Sequence, residues 1–416
     1  MALNPFFDTL PVEISQIILR HACGTTRPLD TSAETIRISK LNNSPRNQHF
    51  SKDIRNSWHT KCALSLTSKQ MHALVEGFLL EAIIVTEWDK LPAIVELLSS
   101  PSATNPAQIK GERCRRLDFS LGRRGHHWCG EGHLRGLRTL WGILPLCRNL
   151  EMLFVDPWMT DYKATPNLVL PDVFWETLAG TCEHSLRLLS VSKVETDPRH
   201  AHKAISSLPE LQCLEIKGGW SDEVIDDFEI TQRTQLCKLH YLEIFGVDTL
   251  LGVTYPALEN AFILTADSIH APHNFTSMTP NPELLTHLSY YGPPMDLFDM
   301  CNAYPNLKQL TIHYLRRVIL QSIPWIQHDN TASSLQTLVL LCYHHEWPMA
   351  EPLLQHIRQL HLDGAFPGLK TVHYKEHRDS LSMDNSHEGQ GTKALVSTFR
   401  SQGVELVMER RILSLE

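Results

Sequence analysis

Along most of the chain one short phrase of apolar and polar positions returns: an apolar residue, two variable residues, a second apolar residue, one variable residue and a third apolar one. It begins at Cys114, Leu150, Leu186, Leu211, Leu239, Leu258, Leu285, Leu307, Leu335 and Leu369, at spacings that average about 28 residues. The second half of each phrase alternates with a period of two, which predicts a short strand with one face turned to a core. Between phrases lie segments with helical spacing: Leu134, Leu137, Leu140, Trp141 and Leu144; Val173, Phe174 and Leu178; Val224, Ile225 and Phe228. The spacing also predicts a strand at Ile83–Val85, a helix over Leu91, Ile94, Val95 and Leu98, and a loop from Pro101 to Gln108. A final helix over Thr392–Arg400 should lead through Gly403 into a closing strand at Val404, Leu406 and Met408. Proline stands two residues before the leading leucine in four copies (Pro209, Pro256, Pro305, Pro367), where a missing amide donor does little harm because the strand has not begun.

A strand followed by a helix, repeated, predicts a right-handed parallel array in which each unit buries its apolar face against its neighbours. The phrase and its period resemble the leucine-rich-repeat family. The asparagine that family places three residues after the strand is absent; Val194, Gly219 and Val247 stand there instead, which predicts irregular turns. In this array the variable residues between the apolar ones line the concave wall. That row is Asp118, Phe154, Ser190, Glu215, Glu243, Phe262, Ser289, Thr311, Val339 and His373, with Tyr241, Phe245 and Tyr291 beside it. From it, Phe154, Glu215, Glu243, Phe262, Tyr291, Thr311 and His373 are the expected contacts for a protein substrate, a mixture of aromatic anchors and polar groups suited to an interface.

The first hundred residues follow a different rule. Leu10, Ile14, Ile17 and Ile18 fall at i, i+4, i+7 and i+8, with Asp8 or Thr9 to cap and Pro11 in the first turn, which predicts one amphipathic helix. From Cys23 to about Thr60 periodicity is lost among Thr, Ser, Asn, Pro and Arg. Leu64 and Leu66 then lead into Thr67-Ser-Lys-Gln-Met, and Met71, Leu74, Val75, Phe78 and Leu79 again have helical spacing. A leucine-proline helix start, a gap, and a leucine-rich step into Ser-Lys resembles an F-box, a three-helix docking module, over Leu10–Ala22 and Leu64 to about Ile84. The long insertion is of a kind found in fungal-type proteins of this class; Met71 or His72 stands where the family often has an aromatic residue. The resemblance implies docking onto the Skp-type adaptor of a cullin–RING ubiquitin ligase through Leu10, Pro11, Ile14, Ile18, Leu64, Leu66 and Met71. The expected organisation is a helical module at 1–85 with its insertion at about 23–60, a connecting helix and loop at 86–110, and an α/β leucine-rich-repeat-like solenoid at 111–416. A leucine-rich scaffold unconnected with ubiquitin is the alternative.

Composition adds little to this picture. The 416 residues are mildly acidic at net −8, 42% hydrophobic and contain 60 leucines, which excludes a disordered or low-complexity chain. No run of 18 apolar residues occurs, and the N-terminus lacks the features of a signal peptide, so the expectation is a soluble protein of cytoplasm or nucleus without membrane contact. Ten cysteines without a C-x-x-C pair read as free thiols.

Motifs that suggest chemistry fail on context. His373-Tyr-Lys-Glu376-His377 spells a zinc-peptidase pattern, but falls on a predicted strand where the histidines do not share a helical turn. His126, His127, Cys129 and His133 are enough ligands for zinc, yet sit in a polar stretch between Leu121 and Leu134. Gly130, Gly132 and Gly136 have the wrong spacing for a dinucleotide loop, and Ser190 and Lys193 lie across a predicted strand. From Lys110 to Arg138 eight basic residues oppose three acidic ones; a phosphate-gripping role is weighed there against a solvated face, and nucleic acid is not the expected partner. The expectation is therefore a non-catalytic chain without cofactor or metal.

Overall fold

The structure is a computed structural model that describes residues 11–23, 57–87, 90–102, 105–119, 141–156, 168–192, 194–217, 234–245, 253–264, 279–291, 297–314, 332–342, 347–379 and 389–413. Two compact units divide the chain, Met1–Glu229 and Ile230–Glu416. Both are mixed α/β.

In the first unit, helices α1 (Val12–Cys23), α2 (57–65) and α3 (Lys69–Leu80) precede β1 (Ala82–Val85) and α4 (Leu91–Ser99). A parallel sheet then adds β2 (Arg116–Phe119), β3 (Met152–Val155), β5 (Leu188–Ser192) and β7 (Cys213–Lys217) in the order β1-β2-β3-β5-β7. Beside it, β4 (Leu168–Leu170) and β6 (Val194–Thr196) form a short parallel pair, and α5 (Asp172–Cys182) and α6 (Pro198–Ser206) lie between strands. The second unit repeats the plan. Strands β9 (Tyr241–Phe245), β11 (Asn260–Leu264), β12 (His287–Tyr291), β13 (Gln309–Tyr314), β14 (Thr337–Cys342), β15 (Thr371–Asp379) and β16 (Glu405–Leu413) pair in sequence order, all parallel, with β8 (Thr234–Gln235) and β10 (Val253–Thr254) as a second short pair. Among the described residues its α-helices are α7 (Leu297–Ala303), α8 (Trp347–Leu362) and α9 (Gly389–Ser401).

All ten phrases of the sequence pattern form strands, and the register keeps them in phase. Within the first unit Arg116, Met152, Leu188 and Cys213 are Cα partners; within the second, Tyr241, Asn260, His287, Gln309, Thr337 and Thr371. A one-residue slip would move every leucine to the other face, so burial of one face fixes the register. The leading residue of every phrase, from Cys114 to Leu369, is buried. Burial of each such leucine contributes about 2 kcal/mol before the entropy of ordering is set against it. The backbone ladder continues into the lead-in turns: the amides of Glu151 and Met152 both donate to the Arg115 carbonyl, at 2.7 and 2.9 Å.

Those turns carry a side-chain ladder that the sequence pattern did not reveal. Asn149 Nδ2 donates to the Glu112 carbonyl at 2.8 Å and Ser185 Oγ to the Arg148 carbonyl at 3.1 Å; in the second unit Asn281 and Asn306 Nδ2 donate to the Pro256 and Glu283 carbonyls at 2.8 and 2.9 Å. Each joins one repeat's turn to the next, before the strand rather than after it. Where no such side chain stands, the backbones close up: a Cβ on Gly368 would meet the Ser333 carbonyl oxygen at 2.4 Å, so only glycine fits.

Several boundaries differ from expectation. Helix α2 begins at residue 57, inside the expected insertion at about 23–60. Strand β15 runs as far as Asp379, because Glu376–Asp379 pair with Arg410–Leu413 of β16, and α9 begins at Gly389, ahead of the expected Thr392. Gly364 and Gly403 end α8 and α9 with φ of 80° and 78°, each followed by an amide that closes back onto the helix, Ala365 N to Leu360 O at 2.9 Å and Val404 N to Phe399 O at 3.1 Å. The expected helices at Leu134–Leu144 and Val224–Phe228 lie largely or wholly outside the described residues. No described helix is long and apolar enough to cross a membrane.

Candidate functional site

Two surfaces carry the chain's expected binding residues. The first is the helical group α1–α3. Ser68 caps α3, its hydroxyl accepting from the Met71 amide at 3.0 Å. Leu19, Met71, Val75 and Phe78 form a small core, with Leu64, Leu74 and Leu79 packed against it, and the Arg20 guanidinium lies 5.7 Å from the Phe78 ring centroid. Buried Glu76 ties α3 to the loop after α4, accepting from Ser102 Oγ at 3.1 Å and pairing with Lys110 at 3.2 Å.

What α1 does with its apolar stripe decides the character of this surface. Leu19 and Ser15 are each 1% exposed and hold the helix to its neighbours, whereas Ile14, Ile17 and Ile18 are 43, 54 and 37% exposed. Leu66, in the turn between α2 and α3, is 85% exposed and Trp58 is 40% exposed. Thus the isoleucines that share a helical face point away from the core of their own chain. Among the seven expected docking residues, Pro11, Ile14, Ile18 and Leu66 are exposed, Leu64 is half-buried, and Met71 is buried in the small core. Leu10 lies outside the described residues. Ile17 and Trp58 are additions; Ile17 was already on the predicted stripe, while Trp58 stood in a stretch without periodicity.

Compared with known proteins, the chain matches no family model and no curated sequence.

The second surface is the polar face of the strands. The register aligns Asp118, Phe154, Ser190 and Glu215 in the first unit, and Glu243, Phe262, Ser289, Thr311, Val339 and His373 in the second, as the phrase required. The row is not the open wall expected of it. Among the described side chains of the row, Asp118, Phe154, Ser190, Glu215, Glu243, Thr311 and Val339 are buried, and Ser289 and His373 are half-open. Their polar groups answer one another inside the protein. Arg116 Nε and Nη2 donate to Asp118 Oδ1 and Oδ2 at 2.8 and 2.7 Å, and the same guanidinium stacks 4.4 Å from the Phe154 ring centroid. Ser190 Oγ donates to Glu215 Oε2 at 2.8 Å, and the Tyr241 hydroxyl to Glu243 Oε2 at 3.1 Å. In the second unit the face opens: His287, Gln309, Thr337, Thr371 and Lys375 are half-buried beside Ser289 and His373, with Ser289 Oγ and His313 Nε2 sharing a hydrogen bond of 2.9 Å. The backbones of Phe262 and Tyr291 lie on strands in this sheet; their side chains are outside what is described.

Two of the chemistry-bearing motifs have residues on described strands. His373, Glu376 and His377 lie along β15, where four residues of strand separate the two histidine backbones by about 13 Å. Ser190 is on β5 and engaged with Glu215. His126, His127, Cys129 and His133, the three glycines and Lys193 lie outside the described residues. Among the described residues no group of three or more His, Cys, Asp or Glu is placed to hold a metal ion. Cys114, Cys147 and Cys182 are free and buried; a hydrogen bond to Cys147 and burial push the Cys114 thiol well up, and burial pushes Cys182 to about 12, so neither is a nucleophile at neutral pH.

Proposed function

We propose that this chain is a non-catalytic substrate-recognition subunit of a Skp–cullin–F-box ubiquitin ligase. Residues 1–85 are read as an F-box and residues 111–416 as a leucine-rich-repeat-like solenoid. The observation that carries the reading is α1: an amphipathic helix whose isoleucine stripe is exposed while its opposite side holds the core. Solvent-exposed apolar residues grouped in this way belong to a partner interface. The adaptor would cover Ile14, Ile17, Ile18, Leu66 and Trp58.

Substrate recognition is assigned to the half-open part of the strand face in the second unit, from His287 and Ser289 through Gln309 and Thr337 to Thr371, His373 and Lys375. The buried members of the row, Phe154, Glu215, Glu243 and Thr311, shape the sheet instead of touching a partner. No bond is made or broken by this chain. It would act by effective concentration, keeping a substrate lysine beside the charged conjugating enzyme so that transfer becomes effectively unimolecular. A pull-down with the Skp-type adaptor tests the docking half, with capture expected for the intact chain. A folded chain that captures no adaptor leaves a leucine-rich scaffold. The substrate half is tested by charge reversal at Lys375 and truncation at His373, which should release substrate without releasing adaptor.

A further inference from the structure

In the first unit a cleft of about 570 Å³ opens between the helical group and the turns that lead into β2, β3 and β5. Its size is that of a small-molecule site, but its walls are charged. Four arginines and His184 line it against three glutamates. One arginine is fully engaged: Arg115 donates through Nε and Nη2 to both oxygens of Glu151 at 2.8 and 2.7 Å, and through Nη1 to Glu81 at 3.2 Å. That trio engages two of the three carboxylates in the lining, and four arginines against three glutamates leave the lining at a formal charge of +1. The other charged residues of the lining are Arg20, Arg113, Arg187 and His184, with Glu112 as the single remaining acid. Arg20 and Arg187 are exposed. In a chain of net −8 this lining is cationic, and its two exposed arginines stand on separate elements, Arg20 on α1 and Arg187 in the turn before β5.

We propose that this cleft binds a small anion bearing phosphoryl groups. Guanidinium forks carried by different elements of one cleft call for acceptor oxygens in several directions, which a tetrahedral phosphoryl group presents and a planar carboxylate does not. Such a ligand would also do mechanical work. α1 is held by Leu19 and Ser15 with its apolar stripe exposed, and an anion joining Arg20 to Arg113 and Arg187 would fix it to the first repeats. The basic stretch that begins at Lys110 is divided here: Lys110 and Arg116 pair with Glu76 and Asp118, and Arg113 and Arg115 are part of the cleft lining, Arg115 held by Glu81 and Glu151.

The test is calorimetric titration of the full-length chain with sodium pyrophosphate at low ionic strength, with triglutamate as a second titrant. Saturable pyrophosphate binding is expected that weakens as salt rises, falls about tenfold in Arg187→Ala, and is lost in the Arg20→Ala, Arg187→Ala double variant. Hydrogen exchange of α1 should slow when pyrophosphate is added. Both arginines are exposed, so circular dichroism without ligand should match the parent chain, and the thermal midpoint should fall only slightly, through loss of the Arg20–Phe78 contact. Absence of saturable binding by the folded parent, affinity unchanged in the double variant, or binding of triglutamate in preference to pyrophosphate would each overturn the proposal. Adaptor capture is a separate readout, so failure here leaves the docking reading where it stands.

Discussion

The leucines of the strands and the isoleucines of α1 are the same kind of residue, equally periodic in the sequence, with opposite fates. Leu153, Leu189 and Leu214 pair across three parallel strands and are wholly buried, as are Leu310 and Leu338 in the second unit. Ile14, Ile17 and Ile18 stand on one helical face and remain in water. Periodicity tells which residues share a face; it does not tell whether the chain covers that face itself. A strand in a parallel sheet has neighbours on both sides and helices above it, so its apolar face is always covered from within. A terminal helix has no such guarantee, and an apolar stripe it keeps exposed stabilises nothing until a partner arrives.

Four experiments can break or sharpen this contrast. Truncating a strand leucine, Leu189→Ala in the first unit or Leu338→Ala in the second, should lower unfolding free energy by about 2–5 kcal/mol in urea titrations, because a cavity is left in a packed interior. A loss below about 1 kcal/mol would mean that the strands are not packed as described. Gly368→Ala should lower it by about 1–3 kcal/mol, since the added carbon meets the Ser333 carbonyl and the two turns must part. Thiol labelling at pH 8 separates surface from interior without changing stability: Cys62 and Cys237 are exposed and should react at once, whereas Cys114, Cys147, Cys182, Cys213 and Cys301 should react only on unfolding. Rapid modification of Cys182 would contradict its burial. Least affected should be the Ile14→Asp, Ile17→Asp chain, whose stability is expected within about 0.5 kcal/mol of the parent because neither side chain belongs to the small core around Leu19.

The strand array was the most legible part of the molecule. Ten phrases became ten strands because a period of two against buried neighbours leaves one register, and the helix from Asp172 and the final helix and strand followed from the same patterning. The short pairs Leu168–Leu170 with Val194–Thr196 and Thr234–Gln235 with Val253–Thr254 were not foreseen, since two or three residues carry no period. Nor was the closure of the polar row. The phrase correctly placed Asp118, Phe154, Ser190 and Glu215 in register, but the alternation that marks them as polar is the same whether they meet water or one another. Their hydrogen bonds satisfy buried groups, Arg116 to Asp118 along one strand and Ser190 to Glu215 across two, at positions that the phrase marks only as variable. The turn ladder of Asn149, Ser185, Asn281 and Asn306 escaped for a related reason: the family resemblance directed attention to the residue after the strand, and the bonds are made before it.

The central claim is that the exposed stripe of α1 is a docking face for the Skp-type adaptor, and co-expression with that adaptor tests it most directly. The intact chain should co-purify in a one-to-one complex, and the Ile14→Asp, Ile17→Asp chain, equally stable, should lose the complex entirely. A folded intact chain that never captures the adaptor, or a double variant that captures it as well as the parent, would contradict the claim.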